Sequence, residues 1–199
     1  MLALKSSLST IRYITESLLP LLFWVMLIFG FDTPDIAILT ILSALMHELG
    51  HLAAAGLARR RGALRGHLTG FRIRLSSCGY IEEILVLAAG PLVNIAIFIL
   101  ALPLSHLADG YFMLIGSLNL LSAVSNLLPI EGYDGYGMLR VAAEWRNSQV
   151  TLRVLEQISF TLTLSFTLTS LYIMLRYGGG YWIFGVFFAT LLAKIKKLL

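Results

Sequence analysis

Charged residues are scarce in this chain: they make up 13% of its 199 residues, whereas 58% are hydrophobic. A typical soluble domain is about 25% charged and about 45–50% apolar. The mean hydropathy of the chain is correspondingly high, at +0.84. This shortage of charge excludes an ordinary soluble protein and predicts an integral membrane protein built as a single helical bundle.

Cysteine is almost absent too. The single residue, Cys78, excludes an internal disulfide, and a lone thiol is more often a small, partly buried group than a zinc ligand. The first apolar run is not followed by a small-residue cleavage pattern, so we expect no cleavable signal peptide. The net charge of +4 is assigned to membrane topology rather than to a nucleic-acid partner.

Six apolar segments are candidate membrane spans, since a helix needs about 20 apolar residues to cross a bilayer. They lie at about 17–31, 35–58, 84–108, 111–128, 157–175 and 181–193. With the N-terminus in the cytoplasm, every basic residue of the 15 except Arg176 falls on the cytoplasmic side. This distribution predicts six spans with both termini cytoplasmic.

The connection between the second and third spans is not apolar enough to be a span. Within residues 59–80, the segment FRIRL at 71–75 alternates apolar and basic residues, which is typical of a half-buried strand, and the neighbouring glycines favour turns. We expect a short β-hairpin at the cytoplasmic face; a basic surface loop is the alternative.

The most informative segment is His47-Glu48-Leu49-Gly50-His51, an HExxH pattern within an uncharged stretch. A helix places two histidines four residues apart on one face, where they can hold one zinc ion with Glu48 beside them as general base. Ionisable residues inside membrane spans are costly and usually functional. A metal site is therefore favoured over a structural histidine pair, and Gly50 predicts a close approach of another element.

A catalytic zinc ion usually has three protein ligands, and we expect the third from another span. Residues 126–137 contain Pro129 and three glycines, which predicts irregular chain at the end of the fourth span. Such backbone survives at membrane depth only where protein buries it or where it lines a cavity. Asp134 is the best carboxylate in this segment, and Glu131 is the second.

The two halves of this site are expected at the same depth. His51 precedes Arg59 by eight residues, or about 12 Å along a helix. Asp134 precedes Arg140 by six residues, or at most about 9 Å. Both therefore lie just beneath the predicted cytoplasmic surface.

Three blocks in this order resemble the site-2 protease family of intramembrane zinc proteases: HELGH at 47–51, AGPLVN at 89–94, and NLLP at 126–129 followed by Asp134-Gly135. The resemblance implies one zinc ion per chain bound by His47, His51 and Asp134, with Glu48 as the base. It also implies that Asn94 and Asn126 line the site, Asn94 near the substrate path and the oxyanion. From the residue alone, Asn94 serves equally well as an interhelical hydrogen-bond partner.

The size and six-span plan look most like the sporulation-type branch of that family, which processes a membrane-associated sigma-factor precursor. This implies a bacterial cytoplasmic membrane, a membrane-spanning or membrane-associated protein substrate, and membrane inhibitors or regulators as partners. Residues 1–199 are expected to form one metalloprotease domain, with a three-helix catalytic core at about 35–140 and no PDZ or CBS domain. Tyr136 departs from the family pattern, in which a second glycine is common.

Two other functions fit part of this pattern. A membrane metal or ion transporter also uses interrupted helices and buried ionisable residues, but Glu48, between the two histidines, has no obvious role in transport. A catalytically inactive scaffold that binds membrane helices would not need Glu48 either. The sequence favours a zinc-dependent intramembrane endopeptidase.

Overall fold

The computed structural model describes residues 33–58, 62–67, 70–75, 79–106 and 110–198. Along the chain the elements are α1 Pro34–Leu57, β1 Gly62–His67, β2 Gly70–Leu75, α2 Tyr80–Ala101, α3 Tyr111–Asn126, α4 Asp134–Trp145, α5 Gln149–Tyr177 and α6 Tyr181–Leu198. A short 3-10 turn, Leu102–Leu104, extends α2. The first predicted span, residues 17–31, lies outside the described residues.

Three helices of the described part are long and apolar enough to cross a membrane by length and composition: α1, α2 with its 3-10 extension, and α5. Helix α3 is apolar but shorter, with 16 residues. Large apolar side chains such as Leu49, Leu92 and Leu121 remain exposed, as expected for helices that face lipid. The protein is therefore a membrane protein. The total of six spans stays a prediction.

The helix boundaries follow local chemistry. Pro34 begins α1, where its missing N–H group would have no partner in any case. Ser148 caps α5 by accepting a hydrogen bond from the backbone N–H of Thr151, and Gly178, with φ of 68°, ends the helix. Helix α5 starts eight residues before the predicted span, because its first two turns carry Arg153 and Glu156 and were therefore left out of the apolar run.

A two-stranded antiparallel sheet connects α1 and α2. Strands β1 and β2 pair with Gly62 opposite Leu75 and His67 opposite Gly70. Strand β2 contains the alternating segment at 71–75, and both strands contact α1. The hairpin therefore adjoins the helix that carries the HExxH pattern.

The expectation of irregular chain through residue 137 was wrong in part. The non-helical segment covers only residues 127–133, and α4 begins at Asp134 itself. Pro129 and Gly132, with φ of 107°, lie in that segment, but Gly135 and Gly137 are helical. Packing outweighs the low helix propensity of these glycines, since α4 contacts both α2 and α5.

Helix α2 is the centre of the described bundle and packs against α1, α3 and α4. Small residues allow close contacts: Ala37 and Ala123 have no exposed surface, and an added Cβ at Gly116 would lie 3.1 Å from Ala101. Small residues at helix interfaces let backbones approach within membranes. This packing brings α1, α2 and the start of α4 together at one site.

Candidate metal centre

Helix α1 presents the two histidines of the HExxH pattern side by side. His47 and His51 are each 5% exposed, and their rings meet edge to face with centroids 4.7 Å apart. Their Nε2 atoms are 3.1 Å apart. The spacing of four residues thus produces the common face expected of a helix.

Asp134 reaches the same point from a distant part of the chain. Its Oδ2 lies 3.0 Å from Nε2 of His47 and 3.2 Å from Nε2 of His51. Because Asp134 is the first residue of α4, its side chain projects from a helix N-terminus, where the helix dipole favours a carboxylate. The structure therefore brings together the three residues expected to bind the metal.

A backbone contact fixes the orientation of one imidazole. Nδ1 of His51 lies 2.7 Å from the carbonyl oxygen of Val86 on α2. Because a carbonyl only accepts, Nδ1 carries the hydrogen and donates it, which leaves the Nε2 lone pair of a neutral imidazole facing His47 and Asp134. Metal-bound histidines commonly donate their other ring nitrogen in this way.

Two glycines make room for the site. A Cβ added at Gly90 on α2 would lie 2.4 Å from Nε2 of His51 and 2.8 Å from Nε2 of His47. A Cβ at Gly50 would lie 2.8 Å from the carbonyl oxygen of Ala89, so the element predicted to approach Gly50 is α2. The site depends on the absence of side chains at both positions.

The donor atoms fit a zinc ion. Zinc binds histidine nitrogen and carboxylate oxygen at about 2.0–2.2 Å, so tetrahedral ligand atoms lie about 3.3–3.6 Å apart. The three distances here, 3.0, 3.1 and 3.2 Å, need only a slight expansion. The two nitrogens and one oxygen also match the histidine and carboxylate ligands of catalytic zinc sites.

Glu48 follows His47 on α1 and is partly buried. Its Oε2 atom is buried and has no hydrogen-bond partner among the described residues. An unpartnered carboxylate oxygen beside a metal site is available to accept a proton. The arrangement therefore suits the general base expected at this position.

The two asparagines expected at the site have other partners. Nδ2 of Asn94, on α2, donates to Oγ of Ser43 over 3.0 Å, so one of its hydrogens is engaged between helices. Nδ2 of Asn126 donates to the carbonyl oxygen of Ser122 in its own helix. These contacts neither require nor prevent a role toward a substrate, and both roles stay predictions.

Sequence reasoning offered Asn94 as an interhelical hydrogen-bond partner but did not identify Ser43 and Asn119 as the residues that it joins. Ser43 on α1 donates to Oδ1 of Asn119 on α3 over 3.1 Å and accepts from Asn94, so one hydrogen-bond chain connects the three helices. Asn94 is fully buried and its Oδ1 has no partner among the described residues. The asparagine in a predicted apolar span was the available signal, since polar side chains there usually bond across helices.

Glu131, the second carboxylate considered, does not belong to the histidine and aspartate cluster. It lies in the 127–133 loop and lines a separate cavity. Outside the site, a hydrogen bond from Arg140 to Glu144 raises the pKa of the Arg140 guanidinium.

Comparison with known proteins identifies a structural neighbour. No protein-family model matches the sequence, and no curated protein matches it. The structure matches that of the "Site-2 Protease from Methanocaldococcus jannaschii" with a TM-score of 0.64 over 90% of this chain and 86% of that chain. The sequences are 22% identical, so the match establishes a shared fold.

Proposed function

We propose that this protein is a zinc-dependent intramembrane endopeptidase of the site-2 protease type. The observation that carries the proposal is the convergence of His47, His51 and Asp134. Two of these residues lie on an apolar helix long enough to cross a membrane, and Glu48 lies between them in the chain. The fold shared with a site-2 protease supports the same conclusion.

The reaction we propose is hydrolysis of a peptide bond in or near a transmembrane segment. A zinc ion bound by His47, His51 and Asp134 would polarise the scissile carbonyl and lower the pKa of a water molecule. Glu48 takes the proton of the attacking water and passes it to the leaving amine. His51 keeps its tautomer throughout because the Val86 carbonyl accepts from its Nδ1.

A substrate helix must unwind locally, because its peptide bonds are engaged in its own hydrogen bonds. An extended segment can then pair with a free strand edge. We propose that the β1–β2 hairpin offers that edge, since it connects directly to the helix carrying His47 and His51. Asn94 and Asn126 are proposed to contact the substrate or the oxyanion.

The cellular context is proposed from charge and resemblance. The basic residues support cytoplasmic termini and a site near the cytoplasmic face. The similarity to the sporulation-type branch supports a bacterial cytoplasmic membrane, a sigma-factor precursor as substrate, and a membrane protein as inhibitor or regulator. We also propose that residues 1–199 form a single metalloprotease domain.

Metal analysis of matched variants tests the proposed site. We expect the purified full chain to contain one zinc ion, Asp134→Ala to lose most of it, and Glu131→Ala to retain it. Since a lost ligand weakens zinc binding by far more than the roughly 10–100-fold effect of an outer partner, the two variants should separate clearly. Zinc retained by Asp134→Ala and lost by Glu131→Ala would reassign the third ligand.

A transport measurement distinguishes the main alternative. Vesicles containing the protein and a zinc-sensitive dye should show no zinc influx above empty vesicles, while the same preparation cleaves a transmembrane peptide. Removing zinc with a chelator should stop cleavage, and adding it back should restore it. Influx without cleavage would contradict the protease and favour a transporter.

A further inference from the structure

Three elements of the described structure meet at one hydroxyl group, that of Ser159. Ser159 of α5 is 1% exposed, and its Oγ accepts a hydrogen bond of 2.7 Å from the backbone N–H of Glu131 in the 127–133 loop. The same Oγ accepts from Nζ of Lys194 on α6. A serine hydroxyl has two acceptor lone pairs, so these two contacts use both.

Lys194 is placed unusually for a lysine. It is 8% exposed, although lysines are seldom fully buried unless they are paired. Its hydrogen bond to Ser159 directs the ammonium group toward the loop side of α5. The contact therefore links the last helix of the chain to the segment that precedes the metal ligand.

Contacts within the loop join its attachment point at Glu131 to Asp134. The backbone N–H of Tyr133 donates to the carbonyl oxygen of Ile130 over 3.0 Å, which closes a turn around Glu131. Ile130 is fully buried, and a Cβ at Gly135 would lie only 2.0 Å from the carbonyl oxygen of Leu127. The loop and the first turn of α4 are thus tightly joined, and a shift at Glu131 would move Asp134.

The loop is not fully packed on the side that faces α5 and α6. A cavity of about 580 Å³ separates parts of the loop, α4, α5 and α6, and its lining includes Glu131, Ser159 and Lys194. Dispersion contacts are lost across a cavity. Hydrogen bonds at Ser159 therefore contribute a larger share of the attachment here than they would in a close-packed interface.

We propose that Ser159 and Lys194 are positioning residues that hold the 127–133 loop, and through it the Asp134 carboxylate, in the geometry required for metal binding. This inference rests on the proposed function, because it gives Asp134 a metal to bind. The two residues act through the loop backbone and are not ligands. Substituting either residue should therefore change the zinc affinity and the coordination geometry of the bound metal ion.

The test is a zinc titration of the purified full chain against a competing chelator, together with the visible absorption of the Co²⁺-substituted protein. Ser159→Ala should weaken zinc binding by about 10-fold or more, the range found when a residue that orients a ligand is removed. The Co²⁺ bands should shift as the Asp134 ligand moves. Ser159→Thr, which keeps the hydroxyl, should retain the zinc affinity and the Co²⁺ absorption bands of wild type.

Two further variants keep the test decisive. Lys194→Met keeps the bond from Glu131 to Ser159, so it should fold and weaken zinc binding less than Ser159→Ala does. Thr167→Val is the control, because among the described residues the buried Thr167 hydroxyl bonds only the carbonyl of Thr163 in its own helix. The zinc affinity of this variant should equal that of wild type.

The possible failures are distinguishable. If wild type binds zinc and both Ser159→Ala and Lys194→Met match it in affinity and in Co²⁺ spectrum, the positioning role is overturned while the proposed function stands. If Thr167→Val loses as much affinity as Ser159→Ala, general disruption of α5 replaces the tether as the cause. A wild-type chain that binds no zinc would overturn the proposed function itself.

Discussion

At the residue scale, the two histidines were predictable because their relation is local. A helix alone sets the distance between residues four apart, so His47 and His51 needed no tertiary information. Gly90 was different: its block was recognised by resemblance, but its contact with both rings depends on how α2 crosses α1. That a glycine is required at this position follows only from the structure.

Substituting Gly90 should therefore damage the metal site. The Cβ of Gly90→Ala would lie 2.4 Å from Nε2 of His51, so the ring or α2 must move, and zinc affinity should fall about 10-fold or more. Gly56→Ala is the matched control on α1, since an added Cβ there meets nothing within 4 Å. Competition with a chelator measures the zinc affinity of each variant. Equal zinc affinities of Gly90→Ala and Gly56→Ala would show that the close contact at Gly90 is not needed.

At the element scale, α4 was missed as a helix even though Asp134 was identified. Two glycines in its first turn and a proline shortly before it argue against a helix when propensity is considered alone. Those glycines instead permit contacts, since the chain at Leu127 packs directly on Gly135 and the Leu87 side chain packs on Gly137. Strand β2 was easier to predict, because alternation with period two is visible in the sequence.

The two glycines of α4 should respond differently to the same change. In Gly135→Ala the new Cβ would meet the backbone of Leu127 at 2.0 Å, whereas in Gly137→Ala it would meet the flexible tip of Leu87 at 3.1 Å. We expect Gly135→Ala to destabilise the protein by about 1–3 kcal/mol or more, as overpacking does, and to lower zinc affinity. Thermal unfolding in detergent compares the pair; similar melting temperatures would argue against the tight loop contact.

At the scale of the whole molecule, charge predicts the orientation of the chain, whereas the fold does not. The match to a site-2 protease concerns the arrangement of the helices, and the positive-inside distribution supplies the direction. The pairing of Asp134 with the histidines was predicted from the interrupted segment and the family resemblance, and the expected depths of His51 and Asp134 agreed with it. The bonds at Ser159, between α5, α6 and the loop, could not be anticipated because each partner looks ordinary in its own segment.

Helix α5 provides a direct test of orientation. Gln149 and Tyr177 lie at its two ends and are both exposed, so single cysteines at these positions in a Cys78→Ser background report opposite sides of the membrane. A membrane-impermeant maleimide applied to inverted vesicles should label Gln149→Cys and leave Tyr177→Cys unlabelled. Intact spheroplasts should give the reverse pattern. Labelling of Tyr177→Cys alone in inverted vesicles would reverse the predicted topology.

Glu48→Gln tests whether the metal site performs hydrolysis with Glu48 as its base. This change keeps the shape of the side chain and removes its ability to take a proton. We predict full zinc content, because Glu48 is not a ligand, and a cleavage rate reduced by at least about 100-fold on a transmembrane peptide. Glu156→Gln, an exposed glutamate on α5, should cleave like wild type, and cleavage by Glu48→Gln at the wild-type rate would contradict the mechanism.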